Sequence, residues 1–288
     1  MSKQILNFLI HLRLHYQFFI LSGGYLIAAL FVEQVNWEQF WLQFLNVHIL
    51  LFGGATVYNS WWDKDEGPIG GLKSPPKMNQ WMWPASLVIQ FIGLTWAMYI
   101  GWNYAIIYAI SMLFFWLYST PLARWKGKPI RSIIAIGVST GNNSFFLGFL
   151  AAGGYPITFT EDLIALGVAL IILSLYPVSQ IYQTEEDGKR GDETFAIKYG
   201  LAGIKWFFAI LFLVGGFILS AMLFQTAHTL GLIFGGVILT AYLLISFFVW
   251  KLKGREEEYE TVMRLKFFAS FSFVLFIVGT LGWQALAL

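Results

Sequence analysis

Asn59, Asp63 and Glu66 stand at i, i+4 and i+7 in the stretch YNSWWDKDEGPIGG, residues 58–71. On a helix that spacing places three oxygen-bearing side chains on one face. Asp65 lies beside them and can take the place of Glu66, and Lys64 adds a cation. Such a face suits Mg2+, which takes oxygen ligands, keeps several waters and bridges carboxylates to substrate phosphates. A second cluster, YPVSQIYQTEEDGKRGDETFAIKYG (176–200), repeats the pattern. Gln180, Gln183 and Asp187 fall at i, i+3 and i+7, Glu186 is adjacent, and Lys189 and Arg190 follow at once. A third stretch, YSTPLARWKGKP (118–129), offers Arg124, Lys126 and Lys128 beside the Tyr118 phenol. Two acidic patches and one basic patch can hold a polyanion through metal. Ordinary solvated loop charge accounts for the same residues, and both readings stand. The matched helical spacing at two equivalent positions weighs toward the site.

The elements that must position these residues are apolar. Of 288 residues 58% are hydrophobic and only 12% charged, about half the usual charged fraction of roughly 25%. Runs near 20 apolar residues recur, the length needed to cross a bilayer core. Nine spans are expected, near 16–33, 40–59, 81–100, 104–118, 132–153, 163–182, 203–224, 229–250 and 266–286. They must be helices, because irregular backbone is not tolerated against lipid. With the N-terminus cytoplasmic, all 18 Lys and Arg fall on the cytoplasmic side, as the positive-inside rule requires. The opposite side keeps acids such as Glu33, Glu38, Glu161 and Asp162. All three polar stretches then share one face of the membrane, after spans 2, 4 and 6. Residues 4–14 read as an amphipathic interfacial helix rather than a cleaved signal peptide. The fold class is all-α: a polytopic bundle of nine transmembrane helices, one domain over 1–288, capped on the cytoplasmic side over a central cavity. The reading is of a prokaryotic cytoplasmic membrane.

The chain has no cysteine, which removes disulfides, thiolate metal sites and cysteine nucleophiles. The net charge of +2 says nothing about nucleic acid, and no nucleic-acid partner is expected. His11 and His15 have a metal-compatible i, i+4 spacing without a third ligand, so an interfacial helix accounts for them. His48, deep in a span, reads as a hydrogen-bonded packing residue rather than a proton relay. Asn142 and Asn143 need partners across helices or a cavity. Glu256, Glu257, Glu258 and Glu260 read as a water-facing connector.

Together the three stretches resemble the UbiA superfamily of intramembrane prenyltransferases. The family's first motif runs roughly N-D-x-x-D-x-x-x-D; Asn59 and Asp63 match, while Ser60 and Gly67 replace the other acids. In the second, Asp187, Gly191, Thr194, Ala196 and Gly200 match, and Gln180 and Gln183 stand where acids are usual. The 118–129 loop follows the family's middle motif with little change. The resemblance implies a helical bundle open sideways to lipid. It implies Mg2+-dependent transfer of an isoprenyl chain from its diphosphate to a small acceptor, often aromatic. Asp63, Asp187, Lys126 and Tyr118 are then the expected catalytic residues. Asn59, Lys64, Arg124, Lys126, Lys128, Lys189 and Arg190 are expected on the diphosphate. Asn59, Asp63 and Glu66 would hold one metal ion, and Asp187 with Glu186 or Gln183 a weaker second. Ionising the allylic C–O bond loads charge on the leaving diphosphate, which metal and Lys/Arg stabilise. Aromatic faces, with Trp61, Trp62 and Tyr118 as candidates, can stabilise the cation. Two other readings remain: a cyclase or lyase that ionises the same diphosphate without an acceptor, and a non-enzymatic lipid or metabolite transporter.

Overall fold

In hydrocarbon every backbone N–H and C=O must be satisfied within the protein, and this chain does so with helices. A computed structural model describes residues 2–64 and 67–287. Among them the only extended pairing is an isolated bridge between Ile69 and Leu72. The helices are α1 (Lys3–Leu21), α2 (Gly23–Phe31), α3 (Trp37–Asp63), α4 (Met82–Met98), α5 (Trp102–Ser119), α6 (Pro129–Ala151), α7 (Phe159–Lys189), α8 (Phe195–Thr226), α9 (His228–Lys251) and α10 (Glu256–Trp283). Helical residues overlie each expected span. By length and apolarity six of these helices are able to cross a membrane, or seven if the bent α1–α2 pair counts as one span. The expected number of nine is therefore not reached by that measure. α4 is apolar but has 17 residues, and α5 carries Asn103, three Tyr and two Trp.

The helices follow one another around a ring. α3, α4 and α5 pack together, α6 packs on α5 and α7, α8 lies between α7 and α9, and α10 returns to α1 and α2. Local chemistry sets the bends. Between α1 and α2 the axis turns by 48° where the Ser22 hydroxyl donates to the Phe18 carbonyl at 2.5 Å, a back-bond that bends helices. α7 starts at a capping box in which Glu161 accepts from the Thr158 backbone N–H, so this acid has a local structural use. Pro177 has no N–H to give, and α7 tightens into a 3-10 turn over Pro177–Gln183 before resuming.

Polar side chains inside the bundle are partnered across helices. Asn143 donates to Ser111 Oγ at 2.9 Å. Asn46 donates to the Gly93 carbonyl and accepts from Tyr108, a link that hydropathy passes over. His48 is fully buried, donates through Nδ1 to the Phe44 carbonyl at 2.7 Å, and packs 4.1 Å from the Phe44 ring centre. His11 and His15 bond the Pro76 and Gly71 carbonyls, each at 2.8 Å, and so pin the segment after α3 instead of pairing on a metal.

Candidate functional site

Three elements end at one cavity of about 770 Å3. Asn59 and Asp63 come from the last turns of α3, Tyr118 from the end of α5, Lys126 from the loop after it, and Gln183 and Asp187 from the end of α7; all six line it. Asp63, Lys126 and Asp187 are 8%, 8% and 7% exposed. Asp63 Oδ1 meets Lys126 Nζ at 2.5 Å, and Asp63 Oδ2 accepts from Asn59 Nδ2 at 2.5 Å. Asn59 Oδ1 accepts from Ser119 at 3.2 Å, which fixes the amide's orientation. Asp187 lies within electrostatic reach of Lys126, Asp192, Arg190 and Asp63. The Tyr118 phenol shares a 3.2 Å hydrogen bond with Tyr176. Deeper walls are apolar, with Phe52, Phe115, Val168 and Leu219.

The other expected ligands have different surroundings. α3 stops at Asp63 because Lys64 turns left-handed, φ 52, with its N–H on the Ser60 carbonyl. Asp65 and Glu66, the further ligands expected on that face, lie outside the described residues. Lys64 and Lys128 are exposed. Lys189 pairs with Glu185 at 2.5 Å in solvent, and Glu186 pairs with Arg190 one turn on; none of these four lines the cavity. Trp62 packs with Tyr58 and Trp83, and neither Trp61 nor Trp62 borders the cavity. Gln180 also lines the cavity, and its Oε1 accepts from Ala196 N–H at 3.1 Å, tying α7 to the start of α8. Gln183 donates to the Pro68 carbonyl at 3.2 Å, using an N–H that a carboxylate would lack.

Arg124 has a positioning geometry. Its Nε and Nη2 donate to both oxygens of Asp192 at 2.6 and 2.7 Å, while Asp63 is 4.0 Å away. The bonds to Asp192 hold the guanidinium proton above its already high ordinary value. Glu193 N–H donates to the Gly127 carbonyl, and Gly127 faces the Asp192 carboxylate with no room for a Cβ. This clasp joins the loop carrying Lys126 to the end of α7 carrying Asp187.

Three cavity residues escaped the sequence reading. Arg13, left-handed at φ 51, donates to Ser60 Oγ at 2.7 Å and the Gly70 carbonyl at 3.1 Å. Gln17, fully buried, donates to Thr56 Oγ1 and the Leu12 carbonyl. Lys266 reaches in from α10. A signal was present: each is a polar residue inside or next to an apolar run, where such residues mark sites.

Comparison with known proteins settles the lineage. The sequence model of the UbiA prenyltransferase family matches residues 18–272. The chain belongs to the UbiA prenyltransferase family. Solved UbiA structures have the same fold. A UbiA homolog from Archaeoglobus fulgidus bound to GPP and Mg2+ superposes with TM-score 0.70 at 15% identity, over 93% of this chain and 99% of that one. The same homolog bound to DMAPP and Mg2+ gives 0.69 at 15%, over 92% and 98%. A digeranylgeranylglyceryl phosphate synthase structure gives 0.62 at 22%, over 96% and 98%. No significant match is found among curated proteins.

The UbiA site can be tested for Mg2+ on its own donors. Among the described residues no group of three or more His, Asp or Glu gathers. Two buried carboxylates and four amide side chains, Asn59 and Gln183 among them, do share the cavity. That set fits an ion that takes one or two carboxylates and leaves its other positions to water and substrate phosphate.

Proposed function

We propose that this UbiA enzyme transfers an isoprenyl chain from a prenyl diphosphate to a small aromatic acceptor within the membrane. The carrying observation is convergence: Asp63, Lys126 and Asp187 come from three elements to one cavity whose deeper walls are apolar. Relatives with GPP or DMAPP and Mg2+ support the reading. Asp63 and Asp187, with the Asn59 and Gln183 amide oxygens, would hold Mg2+, which neutralises charge on the departing diphosphate. Lys126 stays poised by Asp63 and adds a fixed positive charge where negative charge develops. Tyr118 and Phe115, both lining the cavity, would offer aromatic rings to the allylic carbon as it becomes cationic. The apolar walls receive the isoprenyl tail and keep out water, which would otherwise capture the cation. The site faces the cytoplasm, with the N-terminus on the same side.

The test is incubation of purified protein with a panel of prenyl diphosphates and acceptors, with Mg2+ or chelator, read by mass spectrometry. The expected result is a Mg2+-dependent prenylated acceptor that is lost in Asp63→Asn and Asp187→Asn. Terpene released equally without acceptor would replace transfer by cyclisation or elimination. No diphosphate consumption under any condition would reject the enzymatic reading of the site.

A further inference from the structure

The segment after α3 lies as a strap across the polar end of the cavity. Residues 67–77 are not helical, so their carbonyls need donors from elsewhere. Side chains of three helices supply them. From α1, Arg13 donates to the Gly70 carbonyl at 3.1 Å, His15 to Gly71 and His11 to Pro76 at 2.8 Å, and Asn7 to Lys77 at 3.2 Å. From α10, the Tyr259 phenol donates to the Ile69 carbonyl at 3.3 Å, and Glu260 pairs with Lys73. From α7, Gln183 Nε2 donates to the Pro68 carbonyl at 3.2 Å.

The inner side of the strap is a wall of the cavity. Ile69 is 3% exposed and lines the cavity together with Gly70. Ile69 and Leu72 exchange N–H to carbonyl bonds at 2.8 and 2.9 Å, which hold this turn in shape. Gly67 passes Glu186 so closely that a Cβ there would stand 3.1 Å from its carboxylate, so the strap rests on α7. Gln183 belongs to both structures, because it bonds the strap and lines the cavity four residues before Asp187. The residue type at 183 decides whether that bond forms. An ionised carboxylate only accepts, and against the Pro68 carbonyl it would set acceptor on acceptor. An amide supplies the donor and keeps an oxygen for the cavity.

We propose that Gln183 is the positioning residue that latches the 67–77 strap onto α7, and that the latched strap keeps water from the allylic cation. This rests on the prenyl-transfer reading. In that reaction the allylic C–O bond breaks and its electron pair leaves on the diphosphate. The cation then has two possible partners. An acceptor atom bonds to it and loses a proton, or a water oxygen bonds to it and loses a proton to solvent, giving a prenyl alcohol. Closure against water suppresses the second route.

The test uses the full chain in lipid nanodiscs, with wild type beside Gln183→Glu and Tyr259→Phe. Gln183→Glu keeps the length and an oxygen but loses the donor. Tyr259→Phe loosens the strap from α10 and lies off the cavity. The first readout needs neither substrate nor metal: tryptic cleavage after Lys73 and Lys77 in chelator should be about threefold or more faster in both variants. The second is the product of geranyl diphosphate with Mg2+ and the acceptor panel in oxygen-isotope-labelled water. The ratio of labelled prenyl alcohol to prenylated acceptor should rise about fivefold or more in Gln183→Glu, and also rise in Tyr259→Phe. Wild-type cleavage rates in both variants, or an unchanged alcohol ratio in both, would overturn the latch. A raised ratio in Gln183→Glu alone would make residue 183 a ligand of the site only, and would overturn the role of the strap. If wild type consumes no geranyl diphosphate with any acceptor, prenyl transfer and the water-excluding role fail together, and the cleavage rates decide the latch separately.

Discussion

At Asp63 one carboxylate meets a lysine on one oxygen and an asparagine amide on the other. Removing that carboxylate leaves Lys126 buried without its partner, and breaking a buried ion pair costs about 3–5 kcal/mol. Asp63→Ala is therefore expected to lower both melting temperature and turnover, whereas Asp63→Asn keeps the shape and loses turnover by about 100-fold or more. Asp187→Asn should lose turnover to a similar degree with a near-wild-type melting temperature. Diphosphate release and thermal unfolding in detergent check all three. Among the cations, Lys126→Gln should lose about 100-fold, while Lys128→Gln and Lys189→Gln stay near wild-type rates, since both are exposed and outside the cavity. The same assay decides. Residue types and spacing pointed to Asp63, Asp187 and Lys126 directly. They did not separate cavity cations from local pairs: Arg190 and Glu186 satisfy each other one turn apart, and Arg124 is engaged by Asp192, 68 positions away. Lys266 looked like ordinary loop charge because only the return of α10 to α1 brings it to Tyr16.

Between elements, the Arg124–Asp192 fork and the Glu193–Gly127 bond set where Lys126 and Asp187 stand relative to each other. Arg124→Lys keeps the charge but loses the planar two-point contact. Hydrogen bonds to charged groups contribute about 1.5–3 kcal/mol, so a fall in melting temperature and faster proteolysis in 120–128 and 188–194 are expected. Gly127→Ala tests the same clasp from its other side, because the new Cβ would sit 2.9 Å from Asp192 Cγ. Turnover should drop about tenfold or more as the loops separate, with wild-type proteolysis and rates as the contrary result. Helical periodicity forecast these element ends well until backbone chemistry intervened. Lys64 turns left-handed and ends α3 at Asp63, and Pro177 converts α7 to a tighter turn around Gln180. Neither event leaves a mark in hydropathy.

Across the whole molecule, every span that the apolar pattern located is helical, and the polar stretches marked one end of the bundle. The number of crossings was less legible, because α4 is short and α1–α2 is bent. Orientation has a direct test, since the chain lacks cysteine and gives no background. α6, 23 residues and about 34 Å long, separates exposed Leu122 from exposed Tyr155. With the motif end cytoplasmic, Leu122→Cys should react with an impermeant maleimide only in inside-out vesicles and Tyr155→Cys only in right-side-out ones. The reverse pattern would invert the assignment.

The measurement closest to the central claim is equilibrium binding of geranyl diphosphate to the purified protein, with Mg2+ and with chelator, in wild type, Asp63→Asn and Asp187→Asn. A shared grip through a divalent cation predicts tight binding only with Mg2+, weakened about tenfold or more in each variant. Binding indifferent to Mg2+, or unchanged when either carboxylate is neutralised, would contradict it.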